Sequence, residues 1–155
     1  MKISVRNRQR NVPFHSRPLQ TFARRALREC AGLSSPAGGI LNLLPQVEVS
    51  VISDAAMAAL HKRFMDIEGA TDVLTFEHGE ILIGAETARA NAAAFSLPLE
   101  RELALYIVHG LLHLQGFDDQ SEDGSKEMRK MESEILCRCE PPGAPTGSNT
   151  EKALI

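Results

Sequence analysis

One helical segment of this chain is apolar around most of its circumference. Pro98 suits its first turn, and the segment continues to about Gln115. Its apolar residues are Leu99, Leu103, Leu105, Ile107, Val108, Leu111, Leu112 and Leu114. A helix that is apolar on nearly every side cannot lie on a surface, so other elements have to pack around it. The sequence therefore predicts a central, buried helix.

Shorter patterned segments precede and follow this helix. Alternating apolar residues predict strands near residues 3–5, 46–52, 72–76 and 80–83, and helical spacing predicts helices near 17–30, 54–64, 86–95 and 122–136. With 155 residues, of which 43% are hydrophobic, the chain can bury one core. We predict a single α/β (α+β) domain over residues 1–138, with about four strands, and a disordered tail over residues 139–155. No apolar run is long enough to predict a membrane span.

Two histidines on the central helix have the spacing of metal ligands. His109 and His113 are four residues apart, so both imidazoles lie on one helix face and can bind the same ion. Gly116 can end the helix in a left-handed conformation and return the chain toward that face. Asp119 then has the offset of a third ligand, with Asp118 as its competitor. Three protein ligands leave a fourth position open for water.

Two other interpretations of these histidines are available. They could be ordinary core residues, although burying two imidazoles without partners is costly. They could also belong to a zinc peptidase, but such enzymes carry a glutamate general base directly after the first histidine, and this chain has Gly110 there. A peptidase is therefore disfavoured.

Three motifs together resemble those of the YbeY family of single-strand-specific metallo-endoribonucleases. The run HGLLHLQGFD at residues 109–118 resembles H-G-x-L-H-L-x-G-Y-D-H, TDVLTF at 71–76 resembles T-D-V-L-S-F, and GEILI at 79–83 resembles G-D-I-x-I. The resemblance spans roughly residues 1–138. It implies a small α/β fold, one zinc ion and an RNA substrate. It also implies a cytoplasmic role with the ribosome or its small subunit, in ribosomal RNA maturation and ribosome quality control.

The sequence departs from the family pattern at two positions. The third metal histidine of the family is Asp119 here, and a carboxylate makes the site less positive. The arginine that the family places six residues before the second motif is Met65 here, with Arg63 two residues away. If that arginine holds phosphate, this chain needs another cation or has lost activity.

The resulting hypothesis is hydrolysis of single-stranded RNA at a zinc ion held by His109, His113 and Asp119. Candidate substrate-binding residues are Thr71, Asp72, Thr75 and Arg63, although the two threonines and Asp72 could equally serve strand capping and pairing. The alternative is a ribosome-binding assembly factor whose metal is only structural.

The charge is distributed unevenly. The chain has 17 basic and 20 acidic residues, yet residues 1–28 contain eight cations and no acid. These cations are Lys2, Arg6, Arg8, Arg10, Arg17, Arg24, Arg25 and Arg28. An organellar transit peptide also has this composition, but the apolar spacing favours a folded strand and helix. We expect the cations to flank the mouth of the metal site and attract RNA.

Other residues carry weaker signals. Cys137 and Cys139 lack a second cluster and are expected to be free thiols. His78 lies between two strand motifs and is a candidate RNA contact. One tyrosine and six phenylalanines at irregular spacing predict no stacking ladder for bases.

Overall fold

The part of the chain that the computed structural model describes, residues 1–34, 38–65 and 71–142, contains four strands, five α-helices and a short 3-10 helix at Leu41–Leu43. Residues 143–155, which make up most of the predicted tail, lie outside the described residues, as does the side chain of Met65. In chain order the elements are β1 (Lys2–Asn7), α1 (Ser16–Ala31), β2 (Gln46–Ile52), α2 (Asp54–Met65), β3 (Val73–Phe76), β4 (Glu80–Gly84), α3 (Ala85–Ala94), α4 (Leu99–Leu114) and α5 (Glu122–Cys139).

The strands form one mixed sheet in the order β1-β2-β4-β3. β1, β2 and β4 run parallel to one another, and β3 runs antiparallel to β4 with Val73 opposite Ile83. β1 and β3 therefore lie at opposite edges, about 14 Å apart across three strand spacings. The predicted α+β domain with a four-stranded sheet is confirmed.

Helix α4 is the central helix that its sequence predicts. Leu103, Ile107 and Leu111 are fully buried, and the helix contacts α1, α3, α5 and strands β3 and β4. Gly110 allows α4 to approach the sheet closely, because a Cβ atom at this position would lie 2.7 Å from Cδ1 of Ile81. The sheet and α4 together hold the core.

Helix α5 continues to Cys139, beyond the predicted end near residue 136. Leu136 and Cys139 are both buried, so the extra turn is held by packing that the local pattern does not reveal. Cys137 and Cys139 are free thiols, as expected, and Cys30 is a third free thiol.

The edge of β1 that faces away from β2 is covered by a side chain from α1. The Gln20 amide accepts a hydrogen bond from the backbone N–H of Val5 at 2.7 Å and donates one to the carbonyl of Ile3 at 2.8 Å. The side chain thus occupies backbone groups to which another strand could add. No helix among the described residues has the length and apolarity needed to span a membrane.

A glycine loop crosses the C-terminal end of α4. The backbone N–H of Ile40 donates to the carbonyl of Leu114 at 2.8 Å, and a Cβ atom on Gly39 would lie 2.0 Å from the carbonyl carbon of Gln115. No side chain fits between these two backbones, so the loop can lie here only with glycine at position 39.

We expect Gly39→Ala to lower the free energy of unfolding by about 1–3 kcal/mol, because the methyl group forces two backbones apart. For a domain of this size the melting temperature falls by roughly 2–4 °C per kcal/mol. Thermal unfolding followed by circular dichroism measures the change. Gly32→Ala is the matched control, since its new Cβ meets only ordinary contacts at 3.6 Å. Equal melting temperatures for the two variants would contradict the proposed clash.

Candidate metal centre

His109 and His113 face each other on the last two turns of α4. Their Nε2 atoms are 3.0 Å apart, and the rings meet at an interplanar angle of 85°. The four-residue spacing places both imidazoles on one helix face, as the sequence predicts.

A glycine turn after α4 brings the third member of the group into place. Gly116 adopts φ 103°, the left-handed conformation predicted for it. The N–H of Phe117 donates to the carbonyl of Leu112 and that of Gly116 to the carbonyl of His113, each at 3.0 Å, which is the Schellman pattern of helix ends. The chain then returns so that Asp119 Oδ2 lies 3.6 Å from His109 Nε2, and its Oδ1 lies 3.7 Å from His113 Nε2.

The other ring nitrogen of each histidine has an acceptor. His109 Nδ1 lies 2.5 Å from Oε1 of Glu132, a residue of α5, and His113 Nδ1 lies 3.1 Å from the carbonyl oxygen of Phe117. A carbonyl oxygen can only accept, so His113 carries its proton on Nδ1. The carboxylate of Glu132 favours the same tautomer of His109, and this arrangement directs both Nε2 lone pairs into the group.

The donor atoms fit a metal ion. Two Nε2 lone pairs that face each other at 3.0 Å repel unless a cation lies between them or one ring is protonated. In a tetrahedral site with bonds of about 2.0–2.1 Å, neighbouring ligand atoms are about 3.3 Å apart. The three distances measured here fall within a few tenths of an ångström of that value, and His109, His113 and Asp119 form a group that could hold a metal ion.

The two histidines respond differently to their surroundings. Burial lowers the pKa of His109, but the hydrogen bond and charge of Glu132 together with the charges of Asp119 and Asp72 outweigh burial, so the net shift is upward. Burial also lowers the pKa of His113, and the neighbouring His109 lowers it further. His113 is therefore kept neutral, which is the form that binds metals.

The group opens into a groove of about 590 Å³ along the free edge of β3. Its walls include His109 and His113 from α4, the loop at Gly39, and the whole of β3. The Asp119 side chain is 42% exposed, so one side of the group faces solvent.

Of the four predicted substrate-binding residues, only Thr75 lines the groove. Thr75 lies on β3 and lines the groove, whereas Thr71 and Asp72 precede the strand and do not line it. The Asp72 carboxylate accepts from the N–H of Val73 at 2.8 Å and from the Thr71 hydroxyl at 3.4 Å, so it caps the start of β3. Arg63 lies on the last turn of α2, outside the groove wall.

The prediction that the N-terminal cations flank this groove is wrong. None of the eight is among the residues that line it. β1 pairs with β2 at the edge opposite β3, so the strand and its cations are carried away from the site. Arg6 and Arg8 pair with Glu48, while Lys2, Arg24 and Arg28 line a separate groove between β1 and α1.

Sequence reasoning did not find Glu132. This residue is 9% exposed and lies on the inner face of α5, four residues after Met128 and three before Ile135. A carboxylate at helical spacing on an otherwise apolar stripe is the signal that could have identified it. Asp118, the competitor for the third ligand position, instead accepts from the backbone N–H of Gln120 at 2.6 Å.

The fold and this group together define a small α+β protein with an open, three-residue group that could hold a metal ion. A family model described as Endoribonuclease YbeY matches residues 4–140, and the chain belongs to this family. The family that the three motifs resemble is thereby confirmed.

Individual relatives agree with this assignment. An Endoribonuclease YbeY of Mycolicibacterium vanbaalenii is 36% identical over 119 residues, which cover 63% of this chain and 65% of that protein. An Endoribonuclease YbeY of Moorella thermoacetica is 29% identical over 155 residues, covering 88% and 96%. The fold is similar to the solution structure of a Thermotoga maritima protein, with a TM-score of 0.57, 23% identity and coverage of 95% and 98%.

Proposed function

We propose that this chain is a zinc-dependent endoribonuclease that cuts single-stranded RNA. The observation that carries the proposal is the convergence of His109, His113 and Asp119 at the side of an open groove. Membership of a family described as endoribonucleases supports RNA as the substrate. Two imidazoles and a carboxylate are a donor set that zinc favours, and three protein ligands are typical of catalytic zinc.

The residues present here have separable tasks in such a reaction. A bound divalent metal supplies Lewis acidity toward a phosphoryl oxygen and makes water more acidic. His109, His113 and Asp119 hold the ion, and Glu132 and the Phe117 carbonyl fix the tautomers of the two rings. The groove along β3 orients the RNA, with Thr75 as a contact to its backbone and Arg63 as the nearby cation. Thr71 and Asp72 support this wall by capping β3.

Two alternative functions fit the geometry less well. A structural zinc site is closed by four protein ligands, whereas the group among the described residues has three and faces a groove. A zinc peptidase needs a glutamate after the first histidine, but position 110 faces Ile81 of the sheet and carries no side chain.

The cellular role follows from the same proposal. An endoribonuclease of this family would act in ribosomal RNA maturation and ribosome quality control, in the cytoplasm and at the ribosome or its small subunit. The resemblance of the motifs supports this assignment, and the metal group supplies the chemistry that it needs.

We expect the purified chain to cleave a labelled single-stranded RNA and to lose that activity after dialysis against a chelator. Re-addition of zinc should restore cleavage, because chelation removes the ion and none of the residues that would hold it. A gel assay that compares the single strand with its duplex measures both metal dependence and strand preference.

Two results would count against the proposal. Cleavage that survives chelation would exclude metal catalysis. A metal-loaded chain that melts at a higher temperature but cuts no RNA would indicate the assembly factor with a structural metal.

A further inference from the structure

A row of aromatic side chains lies beside the groove. It consists of Phe64 from the last turn of α2, Phe76 at the end of β3 and His78 in the turn that follows. The Phe64 and Phe76 ring centroids are 5.8 Å apart in an edge-to-face arrangement, and those of Phe76 and His78 are 5.5 Å apart and stacked. We call these three residues the aromatic row.

A cation lies at one end of the aromatic row. The guanidinium carbon of Arg63 is 5.4 Å from the Phe64 ring centroid, within the range of a cation–π contact. Among the described residues, no carboxylate lies within salt-bridge distance of Arg63. At the other end His78 pairs with Glu80 at 2.9 Å. The end of the row at Arg63 therefore suits a phosphate better than the end at His78.

The two ends of the row are exposed to solvent, and Phe76 between them is partly buried. Phe64 is 57% exposed, the His78 side chain is 67% exposed, and Arg63 is exposed as well. A single exposed phenylalanine is ordinary on a protein surface. Three rings that contact one another in sequence, with a guanidinium at one end, instead have the composition of surfaces on which unpaired bases stack.

The row is continuous with the candidate metal centre. Phe76 is itself part of the groove wall, together with His109, His113 and the rest of β3. Phe76 packs beside Leu82 and Met57 on the opposite sheet face, so an RNA strand with a phosphate near the metal group reaches the rest of the row by crossing the edge of β3 at Phe76. The irregular spacing of the phenylalanines in the sequence hides this arrangement, because α2 and β3 contribute one ring each.

We propose that the aromatic row is a base-binding subsite for an unpaired nucleobase of the RNA, with Arg63 facing the adjoining phosphate. This inference rests on the proposed function, and it assigns a physical cause to the selection of single strands. A base within a duplex is covered on both faces by its neighbours, so only an unpaired base can stack on the row.

The test is a binding measurement that needs no catalysis. Fluorescence anisotropy, in a buffer with chelator, gives the Kd of a labelled oligouridylate and of an abasic phosphodiester chain of the same length. We expect Phe64→Leu to weaken oligouridylate binding by about 5- to 100-fold, which corresponds to the energy of one base stacked on an aromatic ring. Binding of the abasic chain should not change, since that chain has no base to stack.

Two further variants complete the experiment. Phe95→Leu is the matched control, because Phe95 is 71% exposed and does not line the groove. This variant should bind both probes as the unmodified chain does. His78→Ala removes the opposite end of the row and should weaken oligouridylate binding alone. Both positions are exposed, so folding should be retained, and thermal unfolding checks this.

Two outcomes overturn the inference. Equal affinity of the unmodified chain for the two probes would show that the row binds no base. The row would then serve a partner other than RNA, such as a protein. Equal weakening of both probes by Phe64→Leu would indicate a backbone contact rather than stacking. The proposed function is tested separately. If the chain binds bases through Phe64 but does not cut RNA in the presence of zinc, the base-binding subsite stands and the nuclease proposal is wrong.

Discussion

His113→Ala should leave the chain without bound metal and reduce RNA cleavage to that of the chelated protein. The substitution removes one of three donors and leaves His109 and Asp119, too few to hold an ion at the side of an open groove. The loss of metal affinity should exceed the 10- to 100-fold that the loss of a supporting hydrogen bond typically costs. Metal content per chain, measured by elemental analysis, and cleavage of the labelled single strand give the two results.

Matched substitutions make this experiment specific. His15→Ala removes an exposed histidine that makes no capping hydrogen bond at the start of α1, and it should change neither readout. Asp119→Asn should lower metal content, whereas Asp118→Asn should not, because Asp118 bonds the backbone of Gln120. Full metal content in Asp119→Asn, together with its loss in Asp118→Asn, would show that the third ligand is the other aspartate.

Glu132→Ala should weaken metal binding by about 10- to 100-fold without removing any ligand. The carboxylate holds the Nδ1 proton of His109, and without it the imidazole can rotate or adopt the wrong tautomer. Competition with a coloured chelator measures the affinity. Glu132→Gln keeps an acceptor oxygen and should recover part of the lost metal affinity. If only the negative charge of Glu132 mattered, Glu132→Gln would bind metal as weakly as Glu132→Ala does.

The control for this second experiment lies on the same helix. Glu127→Ala removes an exposed carboxylate of α5 and should bind metal as the unmodified chain does. If Glu132→Ala binds zinc with unchanged affinity, its hydrogen bond to His109 has no part in metal binding.

The parts of the site that the sequence predicts are those in which nearby residues determine the geometry. His109, His113 and Asp119 lie within residues 109–119, where the helical period and one left-handed glycine bring them together. The central position of α4 is equally local, since it follows from the apolar circumference of one helix.

The parts that the sequence does not predict depend on how distant elements pack. Glu132 reaches His109 from a different helix, and Phe64 and Phe76 meet only because α2 and β3 end on the same side of the sheet. The position of the N-terminal cations is also not predictable from the sequence, for a related reason. Net charge shows that a basic segment exists, but the strand order decides at which edge of the sheet it lies.

The contact between α4 and α5 also determines when the site becomes complete during synthesis. Chains are made from the N-terminus and domains fold as units, so the two histidines of α4 are synthesised before α5 but the domain folds only with it. The Glu132 carboxylate that orients His109 arrives only with this last helix. A nascent chain that ends before α5 therefore has the histidines but not the acceptor that orients His109, and full metal affinity follows completion of the domain.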